Sequence, residues 1–164
     1  MKKIALIILA LLVGVSVNAR HHKRKKKKKP QTQEVLSVSM HRTACFGRCP
    51  QYKIEVKGDG TATYTAIRFN PDTGVYTKNI GAAKAKEIID QVKLYRVDTC
   101  SNFYENRIQD LPGLIFTIQY RDSTKNIRGA NFGPGFLKAI ANTLDEAAKK
   151  TDDSWKRVDK PKAD

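Results

Sequence analysis

Two cysteines four positions apart are the residues of this chain whose types and spacing are best suited to chemistry. Cys45 and Cys49 enclose Gly47, and Pro50 follows directly, in the stretch HRTACFGRCPQY. Paired thiols at this spacing can form a structural disulfide, act as a redox centre, or supply two sulfur ligands to a metal ion. The choice among these depends on the compartment and on the elements around the pair.

Local backbone preferences favour the structural disulfide. A helix through this stretch would put His41, Cys45 and Cys49 on one face. However, Gly47 would cost that helix about 1 kcal/mol, and Pro50 biases the residue before it toward extended angles. In a loop, glycine lets the chain fold back, and the chain-entropy model then gives a short disulfide loop roughly 2 kcal/mol of stabilisation. We therefore predict a Cys45–Cys49 disulfide.

Two alternatives remain open for the cysteine pair. A thioredoxin-like redox centre normally has two residues between its cysteines and a βαβ context, whereas three residues separate this pair. A zinc site needs about four ligands, so His41, Cys45, Cys49 and Cys100 would all have to converge. No cofactor is predicted. Cys100 is interpreted as a buried thiol that packs as a small hydrophobe.

The N-terminal segment predicts export. Lys2 and Lys3 precede an apolar run over residues 4–17, and a small-residue cleavage pattern ends at Ala19. This is the order of a secretory signal peptide, and the run is shorter than the ~20 residues that span a bilayer. We predict a signal peptide over residues 1–19 and, after cleavage, a periplasmic, envelope-associated or secreted protein. A disulfide persists in such an oxidising compartment.

A block of basic residues follows the predicted cleavage point. Its eight cationic side chains are Arg20, Lys23, Arg24, Lys25, Lys26, Lys27, Lys28 and Lys29. Together with Lys2 and Lys3 they account for ten of the formal net charge of +15, which leaves +5 for residues 30–164. Like charges repel and nothing apolar is available to bury, so residues 20–32 are predicted to be a disordered tail. The summed charge favours anionic surfaces such as lipid headgroups and glycolipid phosphates, and no specific nucleic acid is expected because no aromatic residue is interleaved.

The same basic block supports an alternative topology. Orientation follows the lysine and arginine bias on either side of an apolar segment, and eight basic side chains follow the run against two before it. That bias would keep the following residues in the cytoplasm, beside anionic lipid. A membrane-anchored domain on the cytoplasmic side is therefore the alternative to export.

The remaining residues predict a single α+β domain over residues 33–155, followed by a polar C-terminal tail over residues 156–164. Strand-like segments cover residues 35–40, 52–56, 61–69, 75–80, 114–120 and 125–132. Helical apolar stripes cover residues 85–95 and 136–148, the second after Pro134. Strands, a helix, a hairpin and a helix in this order indicate an antiparallel sheet with two helices on one face.

The residues around the cysteines resemble a known family. Arg42, Cys45, Phe46, Gly47, Cys49, Pro50 and Tyr52 form the pattern R-x-x-C-F-G-x-C-P-x-Y. Together with residues 58–61, Tyr64 and residues 110–112, this pattern is similar to an exported bacterial family, domain of unknown function 6438, over residues 35–155. The resemblance implies a shared fold and an envelope or secreted setting. It carries no known activity and no catalytic residue, and the Lys-rich tail is not part of the family pattern.

No catalytic constellation accompanies these motifs. After the tail, His41 is the only histidine, and no nucleophile elbow, phosphate loop or zinc-hydrolase motif occurs. The sequence therefore predicts an exported, non-catalytic binding or structural module whose basic tail meets anionic surfaces. The sheet edge or outer face would be open to a protein partner. The alternative is a thiol-redox or other enzyme that uses Cys45 and Cys49.

Cleavage after Ala19 would also create a metal-binding N-terminus at His22. The mature chain would begin Arg20-His21-His22, so an amino group, two amide nitrogens and the His22 imidazole can occupy the square plane that suits Cu(II) or Ni(II). A peptide of residues 20–30 should show a square-planar Cu(II) d–d band that strengthens as pH rises, because two amide protons must leave. Acetylation or His22→Ala should abolish the band. An unchanged spectrum after acetylation would contradict the site.

Overall fold

A seven-stranded sheet forms the frame of the domain. The computed structural model describes residues 33–105, 108, 110–149 and 154–158. The strands are β1 (Val35–Arg42), β2 (Gln51–Lys57), β3 (Thr61–Arg68), β4 (Gly74–Asn79), β5 (Leu114–Tyr120), β6 (Thr124–Arg128) and β7 (Lys156–Arg157). They lie in the order β6-β5-β1-β2-β3-β4-β7, and each strand is antiparallel to its neighbours.

Within the described ranges, two α-helices cover one face of this sheet. Helix α1 spans Ala82–Leu94 and helix α2 spans Gly135–Ala148. A 3₁₀ turn follows α1 at Val97–Thr99, and another precedes α2 at Ala130–Phe132. The predicted α+β class and the order of strands, helix, hairpin and helix are therefore confirmed. None of the helices in the described part of the chain has the length and apolar character needed to cross a bilayer.

The core lies between the helices and one face of the sheet. Met40 of β1 stands opposite both Ile54 of β2 and Phe116 of β5, so the three side chains project from the same face. All three are fully buried. The helices add buried residues at the positions predicted from their apolar stripes: Ala85, Ile88, Ile89, Val92, Leu137, Ile140, Ala141, Leu144 and Ala148. Burial of these helical stripes against the sheet produces the fold.

The opposite face of the sheet is polar. One residue along from the core positions, the paired side chains across the sheet are Thr117, Ser39, Glu55, Thr63 and Thr77. This explains the alternation of apolar and charged residues in β2, since only one of its faces meets the helices.

Two departures from the predicted boundaries come from long-range contacts. Lys156–Arg157 pair with β4 as β7, although the sequence assigns them to a polar tail. Trp155 is buried beside Tyr64 and holds this segment at the sheet edge. The strand predicted over residues 125–132 ends at Arg128, because Gly129 adopts a left-handed φ of 68°. The predicted signal peptide and the basic tail lie outside the described residues.

Gly129→Ala should destabilise the protein strongly. An added Cβ would lie 2.0 Å from the Tyr104 carbonyl oxygen, and the positive φ already disfavours an L side chain. We expect the free energy of unfolding, measured by urea denaturation, to fall by more than about 2 kcal/mol.

The matched control is Gly135→Ala at the start of α2. Nothing lies within 4 Å of a Cβ added there, and alanine is a better helix former than glycine. Stability should therefore be unchanged or rise by up to about 1 kcal/mol. Equal losses in the two variants would contradict the close approach at Gly129.

Candidate functional site

The residues of the cysteine motif lie together at one end of the sheet. Arg42 is the last residue of β1 and stands opposite Tyr52 near the start of β2. Residues 43–50 form the connection between these two strands. We call residues 43–50 the clasped loop, because a cysteine pair closes it.

Cys45 and Cys49 are held at disulfide-bonding distance. Their sulfur atoms are 1.93 Å apart and their Cα atoms 5.8 Å apart. Between them, the Gly47 amide donates a hydrogen bond of 2.9 Å to the Cys45 carbonyl oxygen, which turns the chain back. The stretch is a loop and not a helix, as predicted from the backbone preferences of Gly47 and Pro50.

The convergence needed for a metal site at these cysteines is absent. Among the described residues, no group of three or more His, Cys, Asp and Glu side chains is arranged to hold a metal ion. His41 pairs across the sheet with Lys53, and burial and the Lys53 cation both lower the pKa of His41. Cys100 is half-buried with a free thiol. The candidate ligand His22 and the eight cationic tail residues lie outside the described residues.

One carboxylate in α2, that of Asp145, ties down both stems of the clasped loop. Arg42 donates to it twice, from Nε to Oδ1 at 3.2 Å and from Nη2 to Oδ2. The Tyr52 hydroxyl donates to the same Oδ1 and accepts a hydrogen bond of 3.0 Å from Arg42 Nε. Each of these three side chains is therefore bonded to the other two.

The hydrogen bonds of the network and its partial burial act on the pKa values of Arg42 and Tyr52. The Arg42 and Asp145 side chains are each 26% exposed, so solvent screens their ion pair only in part. The hydrogen bond to Asp145 raises the pKa of Arg42, which keeps the guanidinium charged. Burial, followed by the hydrogen bond to Asp145, raises the pKa of Tyr52, which keeps its hydroxyl a neutral donor. The arrangement suits a structural strut between helix and sheet.

Aromatic rings connect this strut to the rest of the sheet. The Tyr64 ring lies 5.2 Å from that of Tyr52 and 6.0 Å from that of Trp155, centroid to centroid. The Tyr64 hydroxyl donates to Asn70 Oδ1 at 2.8 Å, and Asn70 Nδ2 donates to the Gln51 carbonyl oxygen at 2.7 Å. Burial raises the pKa of Tyr64 to about 12, so this hydroxyl also remains a neutral donor.

The loop before β5 lies directly against the clasped loop. The Thr43 amide donates to the Gly113 carbonyl oxygen at 3.0 Å, and the Gly113 amide donates to Thr43 Oγ1 at 2.9 Å. Leu111, close to this contact in the chain, is 44% exposed. Residues 110–112 (Asp-Leu-Pro), which belong to the family pattern, therefore lie near the cysteine motif in the folded chain.

The clasped loop presents one large apolar side chain and one cation to solvent. Phe46 is 90% exposed, more than any other large hydrophobic residue described. Arg48 and Arg68 both lie over the Phe69 ring, with guanidinium carbons 5.7 and 4.6 Å from its centroid. An apolar side chain beside positive charge is an arrangement suited to binding.

Asp145 is the residue of this site that the sequence did not indicate. It follows Leu144, a core residue of the helical stripe, and precedes exposed Glu146. From the sequence alone, either carboxylate would be assigned to the solvated side of the helix. No local pattern distinguishes the one that meets Arg42.

A family model described as "Domain of unknown function (DUF6438)" matches residues 36–148. The match runs from β1 to the end of α2, so it includes the clasped loop, its two stems and Asp145. It confirms the resemblance that the cysteine motif suggested. No curated protein matches the chain.

Removal of the Asp145 carboxylate should loosen both stems of the clasped loop. Asp145→Ala leaves the Arg42 charge without its partner and the Tyr52 hydroxyl without its acceptor. We expect the free energy of unfolding to fall by about 1–3 kcal/mol, between the values for exposed and buried pairs. Urea denaturation measures this loss.

Asp90→Ala on α1 is the control, because its pair with Lys86 is exposed on both sides and should contribute less than about 1 kcal/mol. A double-mutant cycle should also show that Asp145→Ala and Tyr52→Phe are not additive. Additive changes in the free energy of unfolding would contradict a structural role for the Arg42–Tyr52–Asp145 network. A loss for Asp145→Ala no larger than that for Asp90→Ala would contradict it too.

Proposed function

We propose that this chain, which belongs to this family of domains of unknown function, is an exported, non-catalytic binding module. In this proposal the domain presents the clasped loop on a fixed base, and the basic tail draws the protein to anionic surfaces. The observation that carries the proposal is the 90% exposure of Phe46 in a loop whose two stems share one carboxylate.

The fixed base supports a role in binding. Exposure of an aromatic side chain to water is unfavourable for the free protein. Burial of that side chain by a partner is therefore favourable. A loop that is already ordered also loses little conformational entropy on binding. Here the disulfide closes the loop, and Arg42 and Tyr52 hold its stems. The motif residues Arg42, Cys45, Cys49 and Tyr52 thereby serve to position the loop.

Export and the basic tail complete the proposal. Cleavage of a signal peptide over residues 1–19 would place the cysteine pair in an oxidising compartment, where the disulfide persists. The tail over residues 20–32 would add a diffuse attraction to lipid headgroups or glycolipid phosphates, since it holds eight of the chain's positive charges. Such attraction depends on summed charge and requires no shaped site.

Vesicle binding tests the proposed function. The chain of residues 20–164 should bind vesicles that contain phosphatidylglycerol and should not bind vesicles of phosphatidylcholine alone. Binding should weaken steeply as salt rises, because exposed charges are screened. Flotation or co-sedimentation measures the bound fraction.

A chain that begins at Pro30 is the matched variant, since it lacks all eight tail cations and retains the whole described domain. It should lose most of the binding at low salt. Salt-insensitive binding, or equal binding by the two chains, would rule out the role of the tail. No binding by the chain of residues 20–164 would refute the proposed function as a whole.

A further inference from the structure

Two arginines converge on one aromatic ring beside the clasped loop. Arg48 belongs to the loop and Arg68 ends β3, yet both guanidinium groups lie over the ring of Phe69. Phe69 itself has a positive φ of 55°, which is uncommon for a residue with a side chain. Such a backbone conformation persists only where surrounding contacts hold it, so the backbone that carries this ring is fixed.

Neither arginine is neutralised within the described part of the chain. No ion pair to a carboxylate is formed there by Arg48 or Arg68, in contrast to Arg42, Arg96 and Arg121. Two cations drawn to one ring repel each other, and an anion bound at either of them would reduce that repulsion. Guanidinium groups bind phosphate through parallel hydrogen bonds, so a phosphate is a well-matched ligand for the pair.

The positive charge at this end of the sheet is local. Asp72 lies in the connection from β3 to β4, and exposed Asp110 lies in the loop before β5. Both carboxylates lie in connections at the same end of the sheet as the clasped loop, so it is the arginine pair that offers an anion positive charge there.

The shape of the clasped loop favours a bilayer over a protein partner. A stable protein interface buries about 800 Å² on each side, which a projecting loop with a single large apolar side chain does not supply. A bilayer accepts a convex tip, since aromatic side chains settle at the membrane interface and basic side chains meet the phosphates. Leu111, two residues before Gly113 in the adjoining loop, is a second exposed apolar side chain.

We propose that the clasped loop docks onto an anionic phospholipid bilayer, with Phe46 in the interfacial layer and Arg48 and Arg68 on lipid phosphates. This inference rests on the proposed binding role and names the partner of the loop. A single shallow anchor binds a membrane weakly, so stable attachment takes a second signal. The basic tail supplies that signal.

Both anchors can reach one bilayer. Gln33, the first described residue, precedes β1 at the end opposite to the clasped loop, and the eight residues of β1 span about 27 Å. The 13 residues of the tail can extend to at most about 43 Å. That length exceeds the span of β1, so the tail is long enough for its cations and the clasped loop to act on one surface, and the two can be varied separately.

A tryptophan reporter tests insertion of the loop. In the chain of residues 20–164, Phe46→Trp should shift its fluorescence to the blue when phosphatidylglycerol vesicles are added, and brominated lipid should quench it. Trp155 is 7% exposed and contributes a constant background.

Leu94→Trp is the matched control, because Leu94 is 74% exposed at the end of α1. Its neighbour Tyr95 stacks on Phe136 at the start of α2, whereas the clasped loop meets Asp145 near the end of that helix. The emission of the Leu94→Trp variant should not change.

Charge removal tests the phosphate contacts. Arg48→Gln with Arg68→Gln should weaken binding to the same vesicles by about tenfold or more, given the contribution of basic residues near an anionic surface. Lys86→Gln with Lys138→Gln removes the same charge from the two helices and should have a much smaller effect. Inorganic phosphate at matched ionic strength should not displace the protein from the vesicles.

The outcomes separate the loop from the tail. If the chain binds vesicles but Phe46→Trp shows no shift, the tail alone attaches the protein and the docking of the loop is overturned. Equal weakening by the two double variants would overturn the arginine–phosphate contacts. Displacement by inorganic phosphate would overturn the bilayer as the partner in favour of a free anion. Absence of all vesicle binding would instead refute the proposed function on which the inference rests.

Discussion

The carboxylate of Asp145 is the constraint on which the loop end of this domain depends. It accepts hydrogen bonds from the last residue of β1 and from the second residue of β2, which are register partners. Helix α2 is thereby joined to two adjacent strands at the point where they leave the sheet. Ordering a loop has an entropic cost for each residue fixed. Here Asp145 already holds Arg42 and Tyr52, the stems of the clasped loop. The disulfide therefore has to restrain only the few residues between them.

The same network explains why the cysteine motif includes an arginine and a tyrosine. Arg42 precedes the two cysteines and Tyr52 follows them, and neither is adjacent to a cysteine in the sequence. Their side chains form hydrogen bonds to each other and to Asp145 of α2. A partly buried ion pair adds little net stability, because desolvation offsets most of the Coulomb attraction. Its hydrogen bonds are directional, however, and they define the angle at which the loop leaves the sheet. The motif thus specifies geometry at one end of the fold.

The two ends of the central strands have different properties. One end receives the chain after the basic tail, through Gln33 and Glu34. The other end carries the exposed ring of Phe46 and two arginines without carboxylate partners in the described residues. Between the ends, the core on the helix-covered face keeps β1 and its neighbours rigid. The exposed aromatic ring and the two arginines therefore lie together at one end of the strands, and the core separates them from Gln33.

Local patterns in the sequence were sufficient for most of the secondary structure and for the cysteine pair. The alternation in β5 and the apolar stripe of α2 follow from side-chain period, which is a property of neighbouring residues. Gly47 and Pro50 likewise decide against a helix within a few residues. The network at Asp145 could not be found in this way, because its partners lie 93 and 103 positions away. β7 and the contact of Arg48 with the Phe69 ring also depend on strands that meet only in the folded sheet. The sequence determined the elements and the cysteine loop through local preferences, and tertiary packing alone decided which distant side chains hold and surround that loop.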